Sequence, residues 1–185
     1  MAIVSLPEQN LTIADASQVK ELLATIGIEY DRWGTVELAT NADDTTVLEA
    51  YRDRIKELKR RGGYSTVDIV TVHSDTPGLD EMLNKFNREH WHDEDEVRFT
   101  VHGQGLFHIH PIGQAVVVVE VGPGDMIRVP SGTRHWFNLC GSREIRAIRF
   151  FQNKSGWTPF YTGSMAEKNY EPVCFGPPSI TFRAR

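Results

Sequence analysis

The sequence predicts a mainly β protein, an antiparallel barrel or jelly roll with a few N-terminal and flanking helices. Three observations predict it. From about residue 88 onward, short runs rich in Val, Ile, Phe and Thr follow one another. Turn-forming clusters separate them, among them Pro111-Ile112-Gly113, Gly122-Pro123-Gly124 and Pro130-Ser131-Gly132. Helical periodicity is confined to the residues before them. Many short strands divided by such turns are the pattern of antiparallel all-β architectures.

The front of the chain is mixed. Residues 17–26 place Val19, Leu22, Leu23 and Ile26 on one helical face, with Ser17 as a cap and Gly27 as a stop. Residues 44–60 place Leu48, Tyr51, Ile55 and Leu58 on a stripe that ends at Gly62-Gly63. The basic run Lys59-Arg60-Arg61 at its end complements the helix dipole. Asp68 to Val72 is a short β-like run, and Pro77-Gly78 opens a short helix that buries Leu79, Met82, Leu83 and Phe86. Strands are expected over 97–101, 106–110, 114–121, 126–129, 134–139 and 144–151. The tail after Gly156, rich in Pro, Gly and aromatics, is ordered packing or a lid. The whole chain, 1–185, is expected as a single domain: a mixed front segment over 1–87 packing on the barrel, a barrel core over 88–155, and a C-terminal loop or tail over 156–185.

Composition bounds the function. The chain has 185 residues, 40% hydrophobic and 24% charged, enough for a core without staples. Its net charge of −5, with acids and bases interspersed, argues against a nucleic-acid partner. Two cysteines, Cys140 and Cys174, fit neither a redox pair nor a thiolate metal site by spacing, and are expected as small buried hydrophobes. The start, MAIVSLPEQNLT, has no secretory pattern, and no run approaches a membrane span. A cytoplasmic protein without a membrane partner is the expectation.

Four residues carry chemistry: His90, His92, Glu96 and His135. On a strand His90 and His92 point to one face, roughly 6.6 Å apart, close enough to pinch one ion. Glu96 has the same parity but on a continuous strand would lie about 13 Å beyond. The polar Asp93-Glu94-Asp95 must therefore turn the chain and return Glu96 opposite the pair. His135, after the Pro130–Thr133 turn, comes from another strand. Imidazole and carboxylate together suit Fe(II), Ni(II) or Zn(II). Three imidazoles and one carboxylate leave two positions of an octahedron open, room for a chelating anion or O2. Arg98 shares parity with Glu96. If Glu96 is a ligand, Arg98 faces the interior and needs an anion there; otherwise it is a solvent-facing strand residue.

The two stretches resemble the paired motifs of the cupin superfamily. The first, HxHx3Ex6G, falls on His90, His92, Glu96 and Gly103; the second falls on Gly124, Pro130, Gly132 and His135, with Asn138 one place early. HWHDEDEVRF, GxGLF, VPSGTRHWF and ELLATIGIEYDRW further resemble the acireductone dioxygenase family. The resemblance implies a cupin jelly-roll barrel and one Fe(2+) or Ni(2+) per chain on His90, His92, Glu96 and His135. It implies a monomer acting in methionine salvage on the enediol 1,2-dihydroxy-3-keto-5-methylthiopentene with O2. Iron would give formate and 2-keto-4-methylthiobutyrate; nickel would give formate, carbon monoxide and 3-methylthiopropionate. Arg98 would hold the substrate as its dianion, and Glu89 and Asp95 would assist metal loading. Phe99, Phe107 and Trp136, with Phe137, line a pocket for the methylthio tail or are core. His108 and His110 form a second HxH without a following carboxylate and read as barrel residues or donors behind the ligands. The rivals are a metal cupin acting on another chelator and a non-enzymatic small-molecule-binding cupin.

Overall fold

Two antiparallel sheets face each other across an apolar interior. The computed structural model describes residues 1–39, 41–153 and 157–175. In chain order the strands are β1 Ile3–Leu6, β2 Leu11–Ile13, β3 Glu29–Arg32, β4 Thr66–Val72, β5 His90–Trp91, β6 Glu96–Gly103, β7 Gly105–Ile109, β8 Val117–Val121, β9 Asp125–Val129, β10 His135–Leu139, β11 Ile145–Phe151 and β12 Phe160–Tyr161. The helices are α1 Ala16–Thr25, α2 Asp44–Ala50, α3 Arg52–Gly62 and α4 Leu79–Leu83. One sheet runs β12-β5-β10-β7-β8-β1-β2, the other β3-β9-β6-β11-β4.

From β5 onward every connection except β7 to β8 carries the chain from one sheet to the other. That alternation is the jelly-roll plan. The sheets remain two, however, and do not close into one barrel, because the described ladders all run within a sheet. Gly103 makes one of the corners. Its φ is +78°, and a Cβ there would lie 2.0 Å from the Glu144 carbonyl oxygen. Only glycine permits both the left-handed backbone and that approach.

The expected strands are all present, with no end moved by more than three residues. The front third does more than pack on the sheets: β1 and β2 extend one sheet, and β3 and β4 form both edges of the other. The single helix expected over 44–60 is broken at Tyr51, whose φ of −108° and ψ of 14° leave the helical region. Its two pieces cover the outer face of the five-stranded sheet, where Val47, Tyr51, Ile55 and Leu58 meet Val97, Phe99, Ile148 and Phe150. Helix α3 buries only Ile55 and Leu58, about 1.5–3 kcal/mol each, so this packing rather than propensity fixes it.

The interior between the sheets is Val4, Phe107, Ile109, Val119, Ile127, Val129, Phe137 and Ala147, with Val19 and Leu23 of α1 joining it. Residues Trp157–Phe175 run back as a strap: Trp157 lies beside Arg98, β12 forms the edge of the seven-stranded sheet, and the rest crosses that sheet's outer face. Ala166, Tyr170 and Cys174 of that strap pack on Leu106, Val118, Trp136 and Cys140. Here one expectation is corrected: Cys140 and Cys174 are joined in a disulfide. Their separation of 34 residues carried no signal, because the pairing depends on the strap folding back on the end of β10. No helix of the described residues is long and apolar enough to cross a membrane.

Candidate metal centre

Strands from both sheets deliver the four residues. His90 on β5 is the Cα partner of His135 on β10, so one ladder sets these two side by side. His92 follows β5, and the bend at Asp93–Asp95 then sends the chain across the interior to Glu96, the first residue of β6. One ligand atom from each of His90, His92, Glu96 and His135 lies within 4.8 Å of all the others, and all four residues are buried.

Hydrogen bonds settle which ring nitrogen faces inward. His90 Nδ1 donates to the Arg88 carbonyl at 2.7 Å, His92 Nδ1 to Thr158 O at 2.8 Å, and His135 Nδ1 to Thr133 O at 2.8 Å. A carbonyl only accepts, so each Nδ1 carries the proton and each neutral ring presents a bare Nε2 to the centre. The Nε2 atoms of His92 and His135 both lie 3.1 Å from Glu96 Oε2, and His90 Nε2 is buried without a partner among the described residues. Three lone pairs and a carboxylate converging in a dry interior require positive charge between them. A dication fits this donor set directly.

The electrostatics agree. Burial, then the neighbouring His135, pushes the His90 imidazole down to about 4, so it is neutral and available at ordinary pH. Burial also opposes charge on His92, but the Glu96 carboxylate outweighs it and raises that pKa. Glu96 is held well below the usual carboxylate range: burial would raise it, and Arg98 with the two histidines overcomes that. Arg98 Nε sits 2.7 Å from Glu96 Oε1 with its N–H not aligned on the oxygen. Its guanidinium lies 4.7 Å from the Phe137 ring centre, 5.2 Å from Trp157 and 5.7 Å from Phe107. Both faces of β6 are covered, so Arg98 is interior while Val97 and Phe99 are buried on the other side.

Beside Arg98 an apolar cavity of about 60 Å³ is lined by Met82, Leu83, Phe86, Phe137, Leu139 and Arg149, among others. Phe107 borders the same interior. Phe99 and Trp136 do not join it. Phe99 stacks on Trp33 beneath the helices, with centroids 4.7 Å apart, and Trp136 lies under the strap, parallel to His108 at 4.7 Å. Met82, Leu83, Phe86 and Arg149 were not anticipated as lining residues. Phe137, read with the others as pocket or core, has the parity of His135 and lines the cavity.

Glu89 and Asp95 flank the ligands and hold other segments to them. Glu89 is buried and accepts from His110 Nδ1, Thr162 Oγ1 and Ser164 Oγ, which together keep it ionised against its burial. Asp95 accepts from Arg128 Nε at 2.7 Å, Tyr64 Oη at 3.0 Å and the Ser131 amide at 3.0 Å. It thereby ties the bend before Glu96 to the turn before His135. His110 thus stands behind Glu89, while His108 is buried on the outer face with neither nitrogen partnered.

The comparisons with known proteins agree with this geometry. The family profile described as "ARD/ARD' family" matches residues 7–159. An acireductone dioxygenase of Marinobacter nauticus is 42% identical over 158 residues, 85% of each chain. One from a Synechococcus species is 44% identical over 162 residues, 86% of this chain and 89% of its own. A solved Bacillus anthracis acireductone dioxygenase, with a cadmium ion in its active centre, superposes with a TM-score of 0.80. It is 34% identical and is matched over 87% of this chain and 98% of its own. A buried His/Glu metal-binding cluster between two cupin sheets and these relatives agree: the chain is a dioxygenase and belongs to the ARD/ARD' family, the acireductone dioxygenases.

Proposed function

We propose that the chain binds one Fe(2+) or Ni(2+) through His90, His92, Glu96 and His135 and cleaves the enediol 1,2-dihydroxy-3-keto-5-methylthiopentene with O2. The observation that carries this is the set of three inward-facing Nε2 atoms around one carboxylate, beside a buried arginine and an apolar cavity. When bound, the dication supplies a Lewis acid on which a chelating enediol is more acidic. Every other contribution comes from the chain. The three carbonyls behind the imidazoles fix their tautomer and aim, so no reorientation is needed on binding. Arg98 has Glu96 as its charge partner. Once that carboxylate is committed to a dication, the guanidinium is left buried and positive, and the deprotonated substrate is the anion that meets it. Phe137 and Trp157 cover the guanidinium and hold water off it. The cavity beside Arg98 takes the methylthio tail and sets the end of the substrate that points away from the ion.

The same reading gives an iron form that yields formate and 2-keto-4-methylthiobutyrate, and a nickel form that yields formate, carbon monoxide and 3-methylthiopropionate. It places the chain as a cytoplasmic monomer in methionine salvage. The test is anaerobic loading with Fe(II) or Ni(II), addition of the enediol, and measurement of oxygen uptake and products. Formate from both forms, with carbon monoxide from nickel alone, is expected. Oxygen uptake without formate would overturn the substrate assignment.

A further inference from the structure

The strap Trp157–Phe175 reaches the metal centre at one end and is covalently fastened at the other. Thr158 O accepts from His92 Nδ1 at 2.8 Å, and Trp157 Nε1 donates to Asp95 O at 3.1 Å. Phe160 and Tyr161 pair with Trp91 and His90, while Thr162 and Ser164 hydroxyls donate to Glu89. At the far end Cys174 is bonded to Cys140, the residue after the strand that carries His135. One segment therefore supports three of the four inward-facing residues or their neighbours, and a single bond closes it onto the fourth one's strand.

Apart from that bond the strap is held by hydrogen bonds and by contacts that remain partly exposed. None of its residues is buried. Segments with few buried contacts open at low free energy. Closure also carries a cost, because His108 lies beneath it with both nitrogens buried and unpartnered among the described residues, stacked on Trp136 and 6.3 Å from Tyr170. Lifting the strap would let water satisfy that imidazole. That cost offsets part of the strap's non-covalent bonding, and a cross-link across 34 residues removes much of the open ensemble's freedom. Cys174 is partly exposed, within reach of a reductant.

We propose that Cys140–Cys174 is a redox clasp on the metal centre: closed, it holds the strap in place behind His92 and Glu89; open, it loosens retention of the ion. This rests on the metal reading above. The opening step is thiol–disulfide exchange with a dithiol. The attacking thiolate breaks the S–S bond and forms a mixed disulfide; the second thiol closes on it. Two electrons and two protons pass to the protein as the Cys140 and Cys174 thiols, and the reductant leaves as its own disulfide. In a reducing compartment the open dithiol is the resting state, and the reverse exchange with a small-molecule disulfide, which leaves as two thiols, closes it.

The test uses nickel-loaded protein, oxidised or reduced with dithiothreitol and then desalted without oxygen. Thiols are counted by alkylation and mass, backbone amide exchange is followed over 157–174, and metal transfer to a chelator is timed, all without substrate. Reduction should expose two thiols, speed strap exchange about tenfold, and speed metal transfer about tenfold or more. Cys174→Ser, at the less buried end, should match the reduced protein with and without reductant. Two free thiols that persist after oxidation would overturn the clasp. So would equal metal transfer and strap exchange in the two redox states. If neither state retains nickel, the metal reading has failed and the clasp falls with it; if both retain it equally, the clasp alone has failed.

Discussion

Replacing Glu96 by Gln keeps its shape and removes its charge. The consequence is set by Arg98, whose side chain is 9% exposed and whose Nε lies 2.7 Å from the carboxylate, itself 2% exposed. Stripping one partner from a buried ion pair leaves the other uncompensated, at a cost of about 3–5 kcal/mol. For a domain of this size about 1 kcal/mol moves Tm by 2–4 °C, so the metal-free variant should melt about 10 °C lower. The charge that raises His92 is lost with it, and metal affinity should fall more than about 100-fold, beyond the loss typical of a residue behind the ligands. Thermal unfolding of metal-free protein and competition against a chelator measure the two effects separately. Glu96→Gln with Arg98→Met should recover part of the lost stability, a coupling of at least about 2 kcal/mol in the double-mutant cycle. A melting point within about 2 °C of wild type, or strictly additive single effects, would refute a compensated buried charge pair at this site.

Three further outcomes follow from the same geometry. Leu83→Trp fills the cavity beside Arg98 and should lower kcat/KM for the methylthio enediol about tenfold, while an enediol with a one-carbon tail is spared; equal loss for both would place the tail elsewhere. Asp95→Asn weakens its bonds to Arg128 and the Ser131 amide and should cut metal affinity about 10–100-fold with the fold intact, as circular dichroism and chelator competition would show. Burial lowers His108 from 6.5 to about 4, so its neutral form favours the fold; that stability is present above pH 6.5 and is lost as pH falls toward 4. It amounts to about 3 kcal/mol, and in metal-free His108→Leu the decline over that window should be shallower by that amount, as thermal unfolding against pH would show.

The strands from 96 to 151 were legible because each is a short apolar run between turn residues, and the four inward-facing residues because two compact motifs hold them. Other elements left no such mark. Strand β3 reads EYDR and β5 is two residues long; both exist because a neighbouring strand supplies their hydrogen bonds. Phe99 and Trp136 read as pocket or core, and each is one residue from an inward-facing neighbour, Arg98 or His135. Strand alternation sends them to the opposite face, and the helices and strap that bury them there disguise them as interior residues. The disulfide and the Thr158 carbonyl behind His92 depend on a strap whose path is set by tertiary packing. No local pattern in the sequence encodes that path.

X-ray absorption at the metal edge of nickel-loaded protein measures the donor set itself. Two groups of side chains among the described residues could hold an ion: His90, His92, Glu96 and His135, and, once the disulfide is opened, Glu120 with Cys140 and Cys174. The predicted spectrum has six nitrogen or oxygen donors near about 2.1 Å, with outer-shell scattering from three imidazoles and no sulfur. A sulfur shell near about 2.3 Å, or fewer than two imidazoles, would contradict it and move the ion away from Glu96.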